Sequence, residues 1–456
     1  MNDATTMTIM AMLLLTASAA TAFADEQETP RKQDPTTAEP QTTKEEKPKD
    51  AKPQPKEEPA ITVSLRDGIH FRSSDGNLDS TLGGYMGLHY RYVSQRPDDN
   101  VRTSPDSWFL RQARIDLAGA VYKDFDFRIV IDIPTGSNGS TSTAALTDAF
   151  IGWRRHPELS FRLGQFKEPF GQEQTTGDRV VEFAERSESD RFTPQRDIGA
   201  MVYGRLFDGI LGYEAGWFNG NGRSVVDSNK GKELAGRLRV MPFATADESF
   251  LFKNLRFGVA ATTASLQQSS INGLDATSQY LAIFYLDATA GTLDGERKRL
   301  GAEFNWNSGP FGLRGEAWRR VDHVDVGTLN NRRLDMTAWI ASATWLVTGE
   351  KKPLESWVDP MTPFDPSEGT WGALEIAFRA DRLKFSNEIF TTGVASAAGN
   401  SNGVTAYTFG LNWFLTRHIR ISPDLFWEVY DDPIRFSTGR TDRHFFGGIL
   451  RFQLEF

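Results

Sequence analysis

The chain has 456 residues, a formal net charge of −9 and no cysteine. A hydrophobic content of 39% and a mean hydropathy of −0.43 exclude a bundle of membrane helices. The lack of thiols excludes a disulfide scaffold, thiolate metal sites and cysteine nucleophiles. If this chain meets lipid, its apolar residues must do so one at a time, on alternate positions.

Residues 1–24 read as an export signal: an apolar core runs from Met7 to Ala19, and Ala22-Phe23-Ala24 has the small-residue pattern of a cleavage site. The n-region carries Asp3 and no Lys or Arg, so only the α-amino group supplies positive charge there. The run is too short for a membrane anchor helix. Residues 25–60 hold seven of the chain's 21 prolines, many Lys and Glu, and no aromatic residue. Such a segment cannot bury enough apolar surface to offset its ordering entropy, so a disordered, extended periplasmic linker is expected. Its KPKDAKPQPK section offers a second use, as a tether to cell wall or another envelope polyanion. Residues 61–79 form an approach segment.

From residue 80 the pattern becomes period two and stays so to the end. In FDFRIVIDI, Phe125, Phe127, Ile129, Ile131 and Ile133 share one face, and Asp126, Arg128 and Asp132 share the other. WGALEIAFRAD, HIRISPDLFWEVY and FGGILRFQLEF repeat the arrangement. Each segment has about ten residues, the length a tilted strand needs to cross a bilayer. A soluble sandwich also alternates, but 32 Phe and 11 Trp over this length fit a lipid-facing wall better. Sixteen strands are predicted, near 80–93, 108–120, 124–134, 145–155, 159–167, 197–206, 210–219, 232–242, 253–263, 297–307, 311–322, 335–347, 371–381, 404–415, 418–430 and 442–455. The connections YKDF, RHPE, LFDG, NSGP and LTRH are tight. PDDNVRTSPDS, the stretch from Gly164 to Gly199, NGNGRSVVDSNKG, HVDVGTLNNRR and TTGVASAAGNSNG are long. YLAIFYLDA is assigned to a fifth loop, 264–296, folding inward, because a further strand would make the count odd. Trp108, Tyr122, Trp153, Trp306, Trp413 and Trp427 fall near strand ends, where a bilayer interface favours them. The fold class is therefore all-β: a transmembrane antiparallel barrel of sixteen strands over 80–456, with inward-folded loops and a disordered N-terminal tail.

RQARIDLAG, FRLGQFKEPFGQEQ, FAERSESDRFTPQRDIGAMVYG, GWFNGNG, WLVTGEKK, WGALEIAFR and FGLNWFLTRHIRI resemble, in order and spacing, the phosphate-selective porin O and P family. The resemblance covers roughly residues 80–456. It implies a homotrimeric barrel in the outer membrane of a Gram-negative-type cell, exported through the periplasm, with an anion-selective pore. The long tail departs from the family's pattern, and Gln112 interrupts the basic cluster from Arg111 to Arg114.

Within this frame the third long loop, 168–197, reads as a constriction. Arg179, Arg186, Arg191 and Arg196 can face the pore axis, and Glu173, Glu182, Glu185, Glu188 and Asp190 can hold them or line the opposite side. Arg suits the task because its planar fork gives oxyanions two parallel hydrogen bonds and keeps its charge. On the strands, Arg114, Arg128, Arg162, Arg237, Arg239, Arg256, Arg299 and Arg379 are expected in the lumen, many paired with carboxylates across strands. The expected function is passive diffusion of small anions, phosphate or polyphosphate-like oxyanions, with lipid and these anions as partners. The alternatives are a structural barrel tethering the envelope through residues 25–60, or a less selective channel for acidic sugars. No enzyme is expected: GNSNG at 399–403 sits in a Gly/Asn loop and not at a strand-to-helix elbow. No cofactor, metal or nucleic acid is expected; Asp322, His323 and Asp325 are the closest approach to a ligand cluster.

Overall fold

The computed structural model describes residues 61–65, 68–93, 106–133, 145–225, 230–280, 283–435 and 441–456. The expected export signal, 1–24, and linker, 25–60, lie outside these. Among the described residues one antiparallel sheet holds 18 strands. β1 (Ile61–Leu65) and β2 (Ile69–Ser73) form a hairpin at its start. The next nine are β3 (Leu78–Val93), β4 (Ser107–Val121), β5 (Phe125–Asp132), β6 (Ala145–His156), β7 (Leu159–Lys167), β8 (Arg196–Leu206), β9 (Leu211–Phe218), β10 (Glu233–Val240) and β11 (Arg256–Ser270). A separate pair, β12 (Ala276–Thr277) and β13 (Phe284–Leu286), lies in the fifth loop. Then come β14 (Thr292–Ser308), β15 (Phe311–Val326), β16 (Leu329–Leu346), β17 (Ala373–Phe385), β18 (Gly403–Phe414), β19 (Ile419–Arg435) and β20 (Thr441–Glu455).

The sixteen strands β3–β11 and β14–β20 close on themselves where β20 pairs with β3, from Gly447 opposite Val93 to Glu455 opposite Tyr85. The terminal Phe456 finishes the seam: Gly84 N–H donates to its carbonyl at 2.8 Å, and its own N–H donates to Gly84 O at 3.1 Å. Gly84 is needed there because a Cβ would lie 2.2 Å from the Phe456 ring. Beyond Phe456, β2 takes over the same edge of β3, from Ile69 opposite Leu82 to Arg72 opposite Asp79. The approach segment thus covers the stretch of edge that β20 leaves bare, removing an aggregation template.

Burial is inverted relative to a soluble protein. Leu300 is 65% exposed, whereas its neighbour Arg299 is 6% exposed. The same holds along β10, β17 and β19, where Leu238, Phe378 and Leu425 are exposed and Arg237, Arg379 and Asp424 are buried. Only a wall with hydrocarbon outside and polar contents inside satisfies both faces. Aromatic rings gather at the two rims: Phe250, Phe252 and Trp306, Phe311 and Trp345, and Phe364, Trp371 and Trp413 at the tight-turn end. Tyr90, Trp108 and Phe452, with Tyr407, Trp427 and His444, lie at the other.

At the tight-turn end the strands match the sequence reading to within a few residues. At the far end they run longer. HVDVGTLNNRR is no long connection: β15 continues to Val326, β16 begins at Leu329, and Gly327 turns the hairpin with φ 59°. The fifth loop likewise shrinks to residues 271–291. The reason is physical. Past the bilayer both faces of a strand meet water, so hydropathy stops alternating while ladder hydrogen bonds continue.

Candidate functional site

The interior is organised by the third loop. β7 ends at Lys167, and Pro169 stops the ladder there. The chain enters α1 (Gln172–Thr175), whose Gln172 and Glu173 N–H groups donate to Glu316 Oε2 of β15 at 2.8 and 2.9 Å. Farther on, Ala184 N–H donates to Asp424 of β19 at 2.6 Å and Glu188 N–H to Asp381 of β17 at 3.0 Å. Wall arginines take the loop's carbonyls: Arg451 of β20 donates to Phe183 O at 3.0 Å, Arg379 of β17 to Glu185 O at 3.1 Å and Arg420 of β19 to Arg179 O at 3.1 Å. β17 stands half the barrel's circumference away from β7, so the loop crosses the interior and fastens to the opposite wall by its backbone.

The loop's carboxylates reach cations of the wall and, in Lys352, of a connection at the tight-turn end. Glu173 meets Arg379 at 3.0 Å, Glu182 meets Arg314 at 3.3 Å and Lys352 at 3.1 Å, and Glu185 meets Arg111 at 2.9 Å. Burial alone would push the Glu185 carboxyl up; Arg111 and His89 outweigh it and hold the group down at about 2. Asp190 goes the other way: burial pushes it up to about 6, against the pull of Arg186 and with added repulsion from Glu173. An apolar cluster containing Phe170, Phe192, Tyr280, Phe385 and Phe426 fills space beside these pins. The fifth loop contributes Tyr280, which stacks on Phe426 at 4.5 Å and shares a 2.6 Å hydrogen bond with Thr408 of β18.

The four loop arginines singled out from sequence divide. Arg186 is enclosed within the loop: it donates to Asp178 and to the carbonyls of Glu173 and Thr176, the last at 2.8 Å. Arg191 is exposed and donates to Thr277 of the fifth loop at 3.1 Å. Arg179, paired with Glu455 at 2.6 Å, and Arg196, held by both oxygens of Asp148 at 3.1 and 3.0 Å, line an internal cavity of about 980 Å³.

The wall arginines divide in the same way. Arg379 is buried under the loop, Arg237 pairs with Glu303 at 2.7 Å and Arg299 with Glu233 at 2.5 Å. Arg239 and Arg256 share Glu355, at 4.0 and 2.6 Å. Arg114, Arg128 and Arg162 line the cavity. Arg114 pairs with Asp132 at 2.8 Å and with Asp178, and Arg128 donates to Asp116 at 2.9 Å. Among the described residues Arg162 has no carboxylate within ion-pair distance. Its guanidinium instead lies over Phe150 at 4.2 Å, Tyr203 at 5.1 Å and Phe166 at 5.5 Å. Lys167, on the same strand, also lines the cavity and donates to two loop carbonyls, Gln174 O at 2.6 Å and Thr176 O at 2.9 Å.

Several participants escaped the sequence reading. Asp178 holds two arginines at once, and Asp148 fixes Arg196. The connection 347–372 at the tight-turn end sends Lys352 to Glu182 and Glu375, Glu355 to Arg256, and Trp357 against Arg420 at 5.0 Å. Its length and its Pro353, Pro360, Pro363 and Pro366 were the available signal.

The family described as phosphate-selective porin O and P matches residues 83–433. The chain belongs to the phosphate-selective porin O and P family. Porin O of Pseudomonas aeruginosa is 22% identical over 391 residues, covering 79% of this chain and 85% of that protein. The solved OmpF of Salmonella typhi, in complex with daunomycin, superposes with a TM-score of 0.54 at 10% identity over 87% of this chain and 100% of that one. The outer membrane channel DcaP of Acinetobacter baumannii gives 0.52 at 11% identity, over 85% and 99%. At such identities the two structures speak to the fold alone. This porin is thus a sixteen-stranded barrel of the outer membrane, and a channel in place of an enzyme.

Proposed function

We propose that this porin passes small anions, with phosphate-like oxyanions as the preferred class, by passive diffusion past the third loop. The observation that carries the reading is Arg162. Around the cavity Arg114, Arg128, Arg179 and Arg196 each face a carboxylate, so their fields largely cancel at a distance. Arg162 is held by aromatic faces, which fix a guanidinium without neutralising it. An anion about 4 Å from one uncompensated charge gains about 4 kcal/mol gross at a surface-like dielectric, before desolvation. A paired arginine offers a small fraction of that. Lys167, on the same strand, adds an amine whose hydrogen bonds go to carbonyls. The paired arginines still present unused N–H donors along the way and serve as weaker contacts. No chemistry and no energy source enters: the gradient drives the ion, and the field sets its local concentration.

Reversal potentials of the purified protein in planar bilayers under a salt gradient test the reading, together with phosphate block of chloride current. Anion preference and a block at millimolar phosphate are expected. Cation preference would remove the anion claim. The same reading includes a homotrimer, which native mass spectrometry counts directly; a monomer would withdraw that part and leave the channel.

A further inference from the structure

The outer wall carries a groove of about 690 Å³ on the lipid-facing side of β9, β10, β11, β14 and β15. Register shows how it is made. Ala215, Gly236 and Ala261 stand side by side on three adjacent strands, and the same row continues into Leu300 and Arg319. The row above it contains Leu234, Thr263 and Lys298. Three small residues between larger neighbours leave a trough. Leu234 and Leu300 flank it, 55% and 65% exposed, and two cations lie beside it at one end. A Cβ on Gly236 would meet only Glu214 O, at 3.8 Å, so the trough is open space.

The depth of these cations decides what they face. Trp306 marks the tight-turn rim, and Lys298 lies eight residues above it on β14. At ~3.3 Å per residue and a strand tilt of ~40°, that is about 20 Å, close to the far edge of a ~25 Å apolar band. Lys298, Arg319 and Arg333 share the carboxylates of Glu296 and Asp335: Lys298 meets Glu296 at 2.6 Å, and Arg319 and Arg333 both meet Asp335, the latter at 2.9 Å. Three cations against two carboxylates leave an excess of positive charge at headgroup level, directly beside an apolar trough.

From this geometry we infer that the groove holds one anionic, phosphate-bearing lipid of the outer leaflet. Its headgroup phosphate rests on Lys298 and Arg319, and one acyl chain lies along Ala215, Gly236 and Ala261. Arg319 can turn from Asp335 toward the phosphate because Arg333 remains to pair that carboxylate. This site is outside the lumen and does not depend on which ion the pore prefers.

The test uses the purified full-length protein in mild detergent, bis-phosphorylated lipid A as probe, phosphatidylcholine as zwitterionic control, and native mass spectrometry. The wild type should keep lipid A under activation that strips phosphatidylcholine. Lys298→Gln with Arg319→Gln should lower lipid A occupancy about tenfold, and Gly236→Trp should lower it comparably by filling the trough, both with unchanged reversal potential. Equal retention by wild type and both variants would overturn the site. Equal retention of the two lipids would overturn the headgroup assignment. A change in the number of protomers caused by Gly236→Trp would show that the face belongs between copies of the chain, which also overturns it.

Discussion

The two sides of the barrel interior use the same residue types for opposite ends. Between the third loop and β15–β20, charges are consumed in holding: Glu316, Asp381 and Asp424 accept backbone N–H groups, and Arg379, Arg420 and Arg451 donate to backbone carbonyls. On the side of β3–β8 a cavity of about 980 Å³ remains, and there Arg162 has aromatic neighbours and, among the described residues, no carboxylate within ion-pair distance. An arginine's contribution to transport therefore depends on what already occupies its fork. On the proposed reading, pinned guanidiniums build the loop's seat, and Arg162 supplies the field that an anion meets.

The sharpest way to break this division is to unseat the loop. Arg379→Ala takes the cation from buried Glu173 and from Asp381 beside it, a loss of about 3–5 kcal/mol by comparison with broken buried pairs. Single-channel conductance should rise severalfold with added noise, and thermal stability should fall; an unchanged current would mean that the pins do not set the aperture. Arg186→Met should have a smaller effect of the same kind, since Arg186 binds the loop to itself through Asp178 and two carbonyls. The loop should become noisier while the sign of ion preference stays. A reversed preference would return Arg186 to the permeation path.

How much of this was legible beforehand follows from which forces act locally. Strands such as FDFRIVIDI could be read because the bilayer imposes its demand residue by residue. The entry of the third loop could be read at Glu168-Pro169, where a ladder must stop. The division among arginines could not. Asp178 and Arg114 meet only after the loop has crossed the barrel, and that Arg162 meets aromatic faces and, among the described residues, no carboxylate within ion-pair distance depends on how β6, β7 and β8 are staggered. The projecting β15–β16 hairpin was misread because polar residues on both faces imitate a loop.

Two further outcomes test smaller consequences. Burial, then repulsion from Glu428 and Asp381, pushes the Glu188 carboxyl well up, so the folded protein favours its neutral form. The cost of ionising it is absent below the ordinary carboxylate range and grows as pH rises toward the elevated value. Glu188→Gln should therefore match the wild type in acid and melt at a higher temperature, by about 2 °C, at alkaline pH. A variant that gains nothing at high pH would contradict a protonated Glu188. Arg191→Ala, at an exposed position that is hydrogen-bonded to Thr277, should leave conductance and reversal potential as they are; a measurable shift in either would place Arg191 on the path.

The most direct measurement compares reversal potentials in a tenfold KCl gradient for two alterations. Arg162→Gln removes the uncompensated charge; Arg128→Gln combined with Asp116→Asn removes a neutral pair from the same cavity. Anion preference should collapse toward zero in the first and persist in the second. If Arg162→Gln keeps the wild-type potential, or the pair removal abolishes it, selectivity does not reside in the unpaired arginine.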